Sequence, residues 1–404
     1  MVNIRGMSFV AVSPDLLLAR AARLRDMMRR ADCPAVVIVD PVNILYATGA
    51  TNMSVWSMRT PARYLLMFAE GPSILYDFRG CAHLAQGLPT IDDIRQAEGL
   101  DHVSSGGDPA SAAARFAATI AAAMAEHAPG ETRLGIDRLP YHTVDALRAV
   151  NLTLTDADAV FSAARRIKLA VELPYIREAV ARVEQAAGEL EAAIRPGLTE
   201  AEIWADFHRR FIAGGGHYVS TRLMQSGPAT FPYFQETGLR TVEQGDLICF
   251  DTDVTGYAGY AVDFSRTFRV GGGRPGDDQR MLYDRAREQL AWNAELIRPG
   301  AAFADIAARA WTVPEEHRQS RYYCIGHGLG MSGEHPNIPH IEPGKPYGLA
   351  GCVEPGMIIC VESYIGSAAS GQGVKLEDQL LVTGTGTETL SRYRFDDGLL
   401  GRAV

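Results

Sequence analysis

The 404-residue sequence has no apolar run long enough to cross a bilayer, no CxxC pair and no excess of positive charge. Its longest small-apolar region, Ala110 to Ala125, is interrupted by Arg115 and falls short of the roughly 20 apolar residues that a spanning helix needs. A formal charge of −9 leaves no basic footprint for nucleic acid or for an anionic membrane surface. The six cysteines (Cys33, Cys81, Cys249, Cys324, Cys352, Cys360) sit mainly in apolar segments, which points to buried reduced thiols rather than to a disulfide framework or a zinc cluster. The opening MVNIRGMSFVAVS contains only a short apolar stretch with no small-residue cleavage site, and Ser13-Pro14-Asp15 reads as a helix start. A cytoplasmic chain is the expectation.

What is present is an ordinary globular composition, 47% hydrophobic and 22% charged, in a chain long enough for about two domains. The first part alternates helix and strand. It runs from a helix at Pro14–Arg30 through strands at 35–39, 64–68 and 73–76 to a helix at 109–127, a strand at 133–136 and a helix after Pro140. The segment DPVNILYATGATNMSVW reads as turn-rich. This order predicts an α/β domain with a mainly parallel or mixed sheet over residues 1–163. A boundary near AARRIKLAVELPYIREAV opens a second domain, 164–404. There a helix over 173–194 ends at Arg195-Pro196-Gly197, and Thr199 with Glu202 forms a capping box for the next helix. The same helix–Arg-Pro-Gly–helix order returns at Arg298-Pro299-Gly300 and is followed by strands both times. An internal pseudo-twofold repeat, two α+β halves around a shared curved sheet, is therefore expected.

Six residues in the second domain stand where charge is costly. Asp251, Asp253 and Asp263 lie in FDTDVTGYAGYAVDFSRTF, His327 in YYCIGHGLGM, Glu362 in IICVESY and Glu377 in VKLEDQLLV. Each is in an apolar run that reads as buried strand, and a buried carboxylate stays ionised only beside a compensating cation or donor. Strand alternation puts Asp251 and Asp253 on one face, with Asp263 on the paired strand. Five carboxylates and one imidazole suit two divalent ions, with Fe(II), Mn(II) or Co(II) favoured over Zn(II) because the set is rich in oxygen and has no sulfur.

Residues from about 168 to the end resemble the catalytic domain of the creatinase, aminopeptidase P and methionine aminopeptidase superfamily, the pita-bread fold, through GDLICFDTD…YAVDFSRTF, GHGLG, EPGMIICVE and VKLED. The preceding region resembles the N-terminal domain of the longer members. Peptidases of the superfamily usually carry their first aspartate ligand eleven residues before the second, where this chain has Thr252 with Asp251 and Asp253 on either side. That three-aspartate version, together with NILYATGATNMSVW and YYCIGHGLGM, resembles the DddP-type dimethylsulfoniopropionate lyases. The resemblance implies that Asp251, Asp253, Asp263, His327, Glu362 and Glu377 hold the metals. It also implies that Trp56 and Tyr322 contact substrate and that the chain is a homodimer, with segment 52–56 reaching a neighbour's site.

Two departures bear on the chemistry. The two substrate-binding histidines of the proline peptidases correspond to about Tyr233 and Glu334, which lack the imidazole donors for a developing oxyanion. The aspartate that serves the lyases as base, six residues after the ligand histidine, is Gly333 here. Proton abstraction would then pass to Glu334, His335, Tyr322 or water activated by the metals. Aromatic residues that could box a sulfonium or ammonium cation are Trp56, Tyr322, Tyr233 and Phe234, the last two read more readily as packed core, and His335 and His340 read as pocket rim or surface. Two readings follow: a metal-dependent lyase of a β-substituted propionate, or a metal-dependent hydrolase of a small amide or peptide.

Overall fold

A computed structural model describes residues 12–342 and 349–401; most of the opening segment weighed above as a leader lies outside them. The chain divides into two compact units, Met1–Arg165 and Arg166–Val404.

The first unit is a six-stranded mixed sheet made of β1 (Ala35–Ile38), β2 (Tyr64–Phe68), β3 (Ser73–Asp77), β4 (Asp93–Gln96), β5 (Arg133–Ile136) and β6 (Thr153–Asp156), in the spatial order β4-β3-β2-β1-β5-β6. Strands β1, β2 and β3 pair antiparallel, whereas β3–β4, β1–β5 and β5–β6 are parallel. Phe116, Ile120 and Met124 of helix Pro109–His127 bury against Tyr64, Leu66 and Phe68. Part of the segment expected to be turns is instead a helix, Pro41–Thr48. Its ends are well specified: Asp40 accepts from the Val42 amide at 2.8 Å, Pro41 supplies a fixed φ, and Gly49 closes the last turn at φ 79°. Eight residues were too few to show a helical period.

The second unit begins with helices Leu173–Ala193 and Glu200–Ala213, the latter carrying the expected Thr199–Glu202 capping box. Its strands are β7 (Tyr218–Val219), β8 (Met224–Ser226), β9 (Leu247–Asp251), β10 (Val254–Thr255), β11 (Ala261–Val262), β12 (Ser265–Arg269), β13 (Cys324–Leu329), β14 (Gly333–Pro339), β15 (Ile358–Ser367), β16 (Gln372–Val382) and β17 (Thr387–Thr389). They form the sheets β11-β10-β7, β12-β9-β8 and β14-β13-β15-β16-β17.

The expected repeat is visible in the backbone bonds. Gly197 and Gly300, each closing an Arg-Pro-Gly, donate to Val242 O and Val353 O, and two residues later Thr199 bridges to Thr241 as Ala302 bridges to Cys352. Gly245 and Gly356, at φ 88° and 90°, donate to Val270 O and Val382 O at the start of each half's long hairpin. Both glycines need the left-handed region, where a Cβ is strained.

Strand alternation assigns the faces of that hairpin. Ile359, Val361 and Ile365 of β15 and Val374, Leu376 and Leu380 of β16 bury in one core with Leu282, Tyr283, Ala286 and Leu290 of helix Asp277–Leu296. The intervening residues, Cys360 and Glu362 on one strand and Lys375 and Glu377 on the other, therefore face the other side. Thr267 of β12 stitches the two halves together, its hydroxyl donating to Lys375 O at 2.8 Å and accepting from Lys375 N at 3.0 Å.

Candidate metal centre

The six predicted ligands converge. Glu362 and Glu377 are directly opposed in the β15–β16 ladder. His327 of β13 places Nε2 3.3 Å from Glu362, 3.6 Å from Asp263 and 3.9 Å from Glu377. One donor atom from each of Asp251, Asp253 and Asp263 lies within 4.8 Å of the others, and the same holds for Asp263, His327, Cys360 and Glu377. Asp263 belongs to both groups. The three aspartates meet by a route that simple alternation did not anticipate: β9 ends at Asp251, and Asp253 turns out of it at φ 39°, a conformation that aspartate tolerates better than most residues. Thr221 holds the Asp253 carboxylate at 2.6 Å.

The donor set fits a pair of divalent cations. Asp251 Oδ1, Asp263 Oδ1 and Glu377 Oε1 are buried oxygens with no hydrogen-bond partner, an arrangement that is costly unless a cation is to be bound. Burial, then the Asp251 charge, pushes the Asp253 carboxyl up to about 7. Burial and neighbouring carboxylates lift Asp263 and Glu377 well above the usual range. Burial would also raise Asp251, but Lys375 and Tyr233 outweigh it and hold Asp251 low. For His327, burial lowers the pKa, yet Glu362 and Glu377 prevail and raise it to about 9.

These shifts set a pH dependence. A carboxyl with a raised folded pKa favours the fold while protonated, and for Asp253 this contribution is complete below about 4 and lost as pH rises through about 7. Bound cations remove the repulsion and need the ligands deprotonated, His327 included. The Tm gap between metal-loaded and chelator-treated protein should therefore widen from about pH 5 to about pH 8 in calorimetric scans. A gap independent of pH would contradict the ligand assignment.

A cavity of about 350 Å3 opens on Asp253, Asp263 and His327, with Tyr218, Tyr322 and Tyr323 in its wall. Tyr322 makes no hydrogen bond among the described residues, and burial beside Glu362 raises its pKa strongly. The Tyr322 ring packs at a tilt against Tyr233, with centres 5.7 Å apart, and against Phe234 at 5.2 Å, so three of the four aromatic candidates form one cluster. Tyr233 is buried and donates to Asp251 Oδ2 at 2.7 Å, which fixes that candidate ligand. Trp56, in the first unit, meets Phe78 edge-on at 5.3 Å and is partly exposed.

The sequence matches the model of metallopeptidase family M24 over residues 174–384 and that of the creatinase/prolidase N-terminal domain over residues 20–167. The chain belongs to family M24. This M24 chain is 33% identical to dimethylsulfoniopropionate lyase DddP of Roseovarius nubinhibens, over 96% of its own length and 89% of the relative's. Identity to dimethylsulfoniopropionate lyase DddP of Roseobacter denitrificans is 32%, with the same coverage. Among solved structures, the prolidase of Pyrococcus horikoshii superimposes with a TM-score of 0.75 over 93% of this chain and 99% of that one, at 21% identity, a likeness of fold.

Within the M24 site, two residues escaped the sequence reading. Lys375 is fully buried with its Nζ on Ser265 at 2.6 Å, Glu362 at 2.7 Å, Glu377 at 3.0 Å and Asp251 at 3.2 Å, and lies 4.7 Å from the Tyr322 ring centre. Burial alone would depress its pKa, but the three carboxylates raise it far above the ordinary value, so it is an internal cation. Cys360 is the second, one of six free thiols. Both stand two residues before a predicted glutamate ligand, on the same strand face, and that spacing was the available signal.

The base candidates separate. Glu334 accepts from Lys168 Nζ at 2.6 Å and from the Met331 amide at 3.3 Å, with both charged side chains almost fully buried, so its carboxylate is already engaged. His335 turns to Phe303, ring centres 5.5 Å apart, and is not in the cavity wall. His340, expected at a rim or surface, is largely buried in the wall of a second cavity that Trp311 and Tyr323 also line, and is pushed down to about 4 by burial and Arg321. No helix among the described residues is long and apolar enough to cross a membrane.

Proposed function

We propose that this M24 enzyme is a metal-dependent lyase that cleaves dimethylsulfoniopropionate, or a related small β-substituted propionate, to an acrylate and a neutral sulfide. The observation that carries the reading is the Asp251–Thr252–Asp253 arrangement, two aspartates around the usual peptidase position, in a chain similar to DddP lyases over nearly its whole length. Two divalent ions at Asp251, Asp253, Asp263, His327, Glu362 and Glu377, with Fe, Mn or Co suiting the donors better than Zn, would neutralise the cluster and acidify the hydrogens α to a bound carboxylate.

The protein's own groups do the rest. Tyr322, free at its hydroxyl and facing the cavity, offers both a ring face for an onium centre and an oxygen for proton transfer. In the elimination the α-proton leaves to a base, the C–H pair becomes the C=C bond, and the C–S pair leaves on the sulfide; Tyr322, kept as the neutral phenol by burial and Glu362, is placed to relay that proton rather than to hold it. Glu334 serves as a brace for the β13–β14 turn through Met331 and Lys168, and Tyr233 orients Asp251. Trp56 and a homodimeric assembly belong to the same reading by likeness to the lyases.

One observation favours the alternative, a hydrolase of small amides or peptides: Gly333 offers no side chain where the lyase base is expected, and the matching family model is that of a metallopeptidase. Headspace sampling of metal-loaded protein incubated with dimethylsulfoniopropionate separates the two. Dimethyl sulfide release well above an EDTA-treated control is expected. No release, with cleavage in a panel of proline-containing dipeptides, would replace the lyase reading with the hydrolase.

A further inference from the structure

Strand β14 is bulged where it forms the cavity wall. Its register runs from Asn337 opposite His327 to Glu334 opposite Gly328, so three steps along β14 answer one along β13. The surplus residues are His335, turned to Phe303, and Pro336. Bulges of this kind re-aim side chains beside active sites.

The consequence is the placement of Asn337. Residues directly opposed on antiparallel strands present their side chains to the same face, so Asn337 shares the face of the metal-ligand candidate His327. It lines the same cavity, and its carboxamide makes no hydrogen bond among the described residues. The charged groups and the imidazole in that wall are already committed, Glu334 to Lys168, Asp253 to Thr221, and Asp263 and His327 to the ligand cluster, which leaves the carboxamide beside neutral hydroxyls such as that of Tyr322. No lysine or arginine is in the wall among the described residues. An acyl oxygen bound against the cluster would thus find no side-chain cation in that wall, but it would find the two N–H donors of a carboxamide. Such a donor adds no positive charge to repel an onium group or a metal ion.

We propose that Asn337 is a substrate-binding residue that donates a hydrogen bond to an acyl oxygen, of a carboxylate or a carboxamide, held beside the metal centre. The proposal rests on the reading of this cavity as the substrate site and is common to the lyase and hydrolase chemistries. Metal-loaded wild type and Asn337→Ala, matched in metal content and Tm, would be titrated calorimetrically with propionate and with propionamide. Asn337→Ala should weaken one probe or both by about threefold to tenfold, the share of one hydrogen bond. Weakening of propionate alone identifies a carboxylate; of propionamide alone, a carboxamide. Unchanged affinity for both, or no binding of either by the wild type, overturns the proposal. The dimethyl sulfide assay on the same wild-type sample decides the lyase reading separately.

Discussion

Asp263→Ala is expected to abolish turnover and to lower bound metal toward zero, with metal affinity weakened by at least about a hundredfold. Asp263 is the one residue shared by the two donor groups, joining Asp251 and Asp253 on one side and His327, Cys360 and Glu377 on the other. A carboxylate shared by both donor groups could serve two cations, so its loss would damage both positions. Thr221→Val should act far more weakly, because it removes one hydrogen bond to Asp253 while leaving every donor in place. Elemental analysis after dialysis against a weak chelator reads both variants. Full metal occupancy in Asp263→Ala would show that Asp263 is not needed to hold the metals. Because Asp263 is buried and its pKa is raised, the alanine variant should also be easier to fold without metal, so a merely unstable variant is distinguishable from a metal-deficient one.

Much of this site was legible because β-strand alternation and apolar context act locally. Charged residues at Asp251, Glu362 and Glu377 stand out in runs of buried residues, and resemblance supplied their common purpose. The repeat was legible for the same reason: each Arg-Pro-Gly sits at a helix end, and its glycine amide enters an equivalent bond in each half. What stayed hidden depends on distant partners. Glu334 looked like a free acid until Lys168, 166 residues away, came to lie on it. Tyr233 read as packed core and is packed there, but its hydroxyl also donates to Asp251, which β9 brings beside it. The turn of the chain at Asp253 is likewise set by the sheets on both sides, not by its own neighbours.

Lys375→Met should destabilise the metal-free protein by about 3–5 kcal/mol, the range for removing one partner from a buried ion pair. The ammonium lies within 3.2 Å of three carboxylates, all of them nearly or wholly inaccessible to water. Methionine keeps the length and most of the volume of the side chain, so lost packing contributes little. The charge is the variable. Divalent cations at the same carboxylates would take over part of that compensation, so the metal-loaded variant should lose clearly less stability than the metal-free one. Urea unfolding of both forms measures the difference, with the slope m confirming comparable unfolded states. Equal losses with and without metal would mean that Lys375 and the cations neutralise separate carboxylates. A larger loss in the loaded form would mean that the ammonium orients the ligands rather than standing in for metal charge. In the expected case the internal lysine explains how five acidic side chains fold together before any cation arrives.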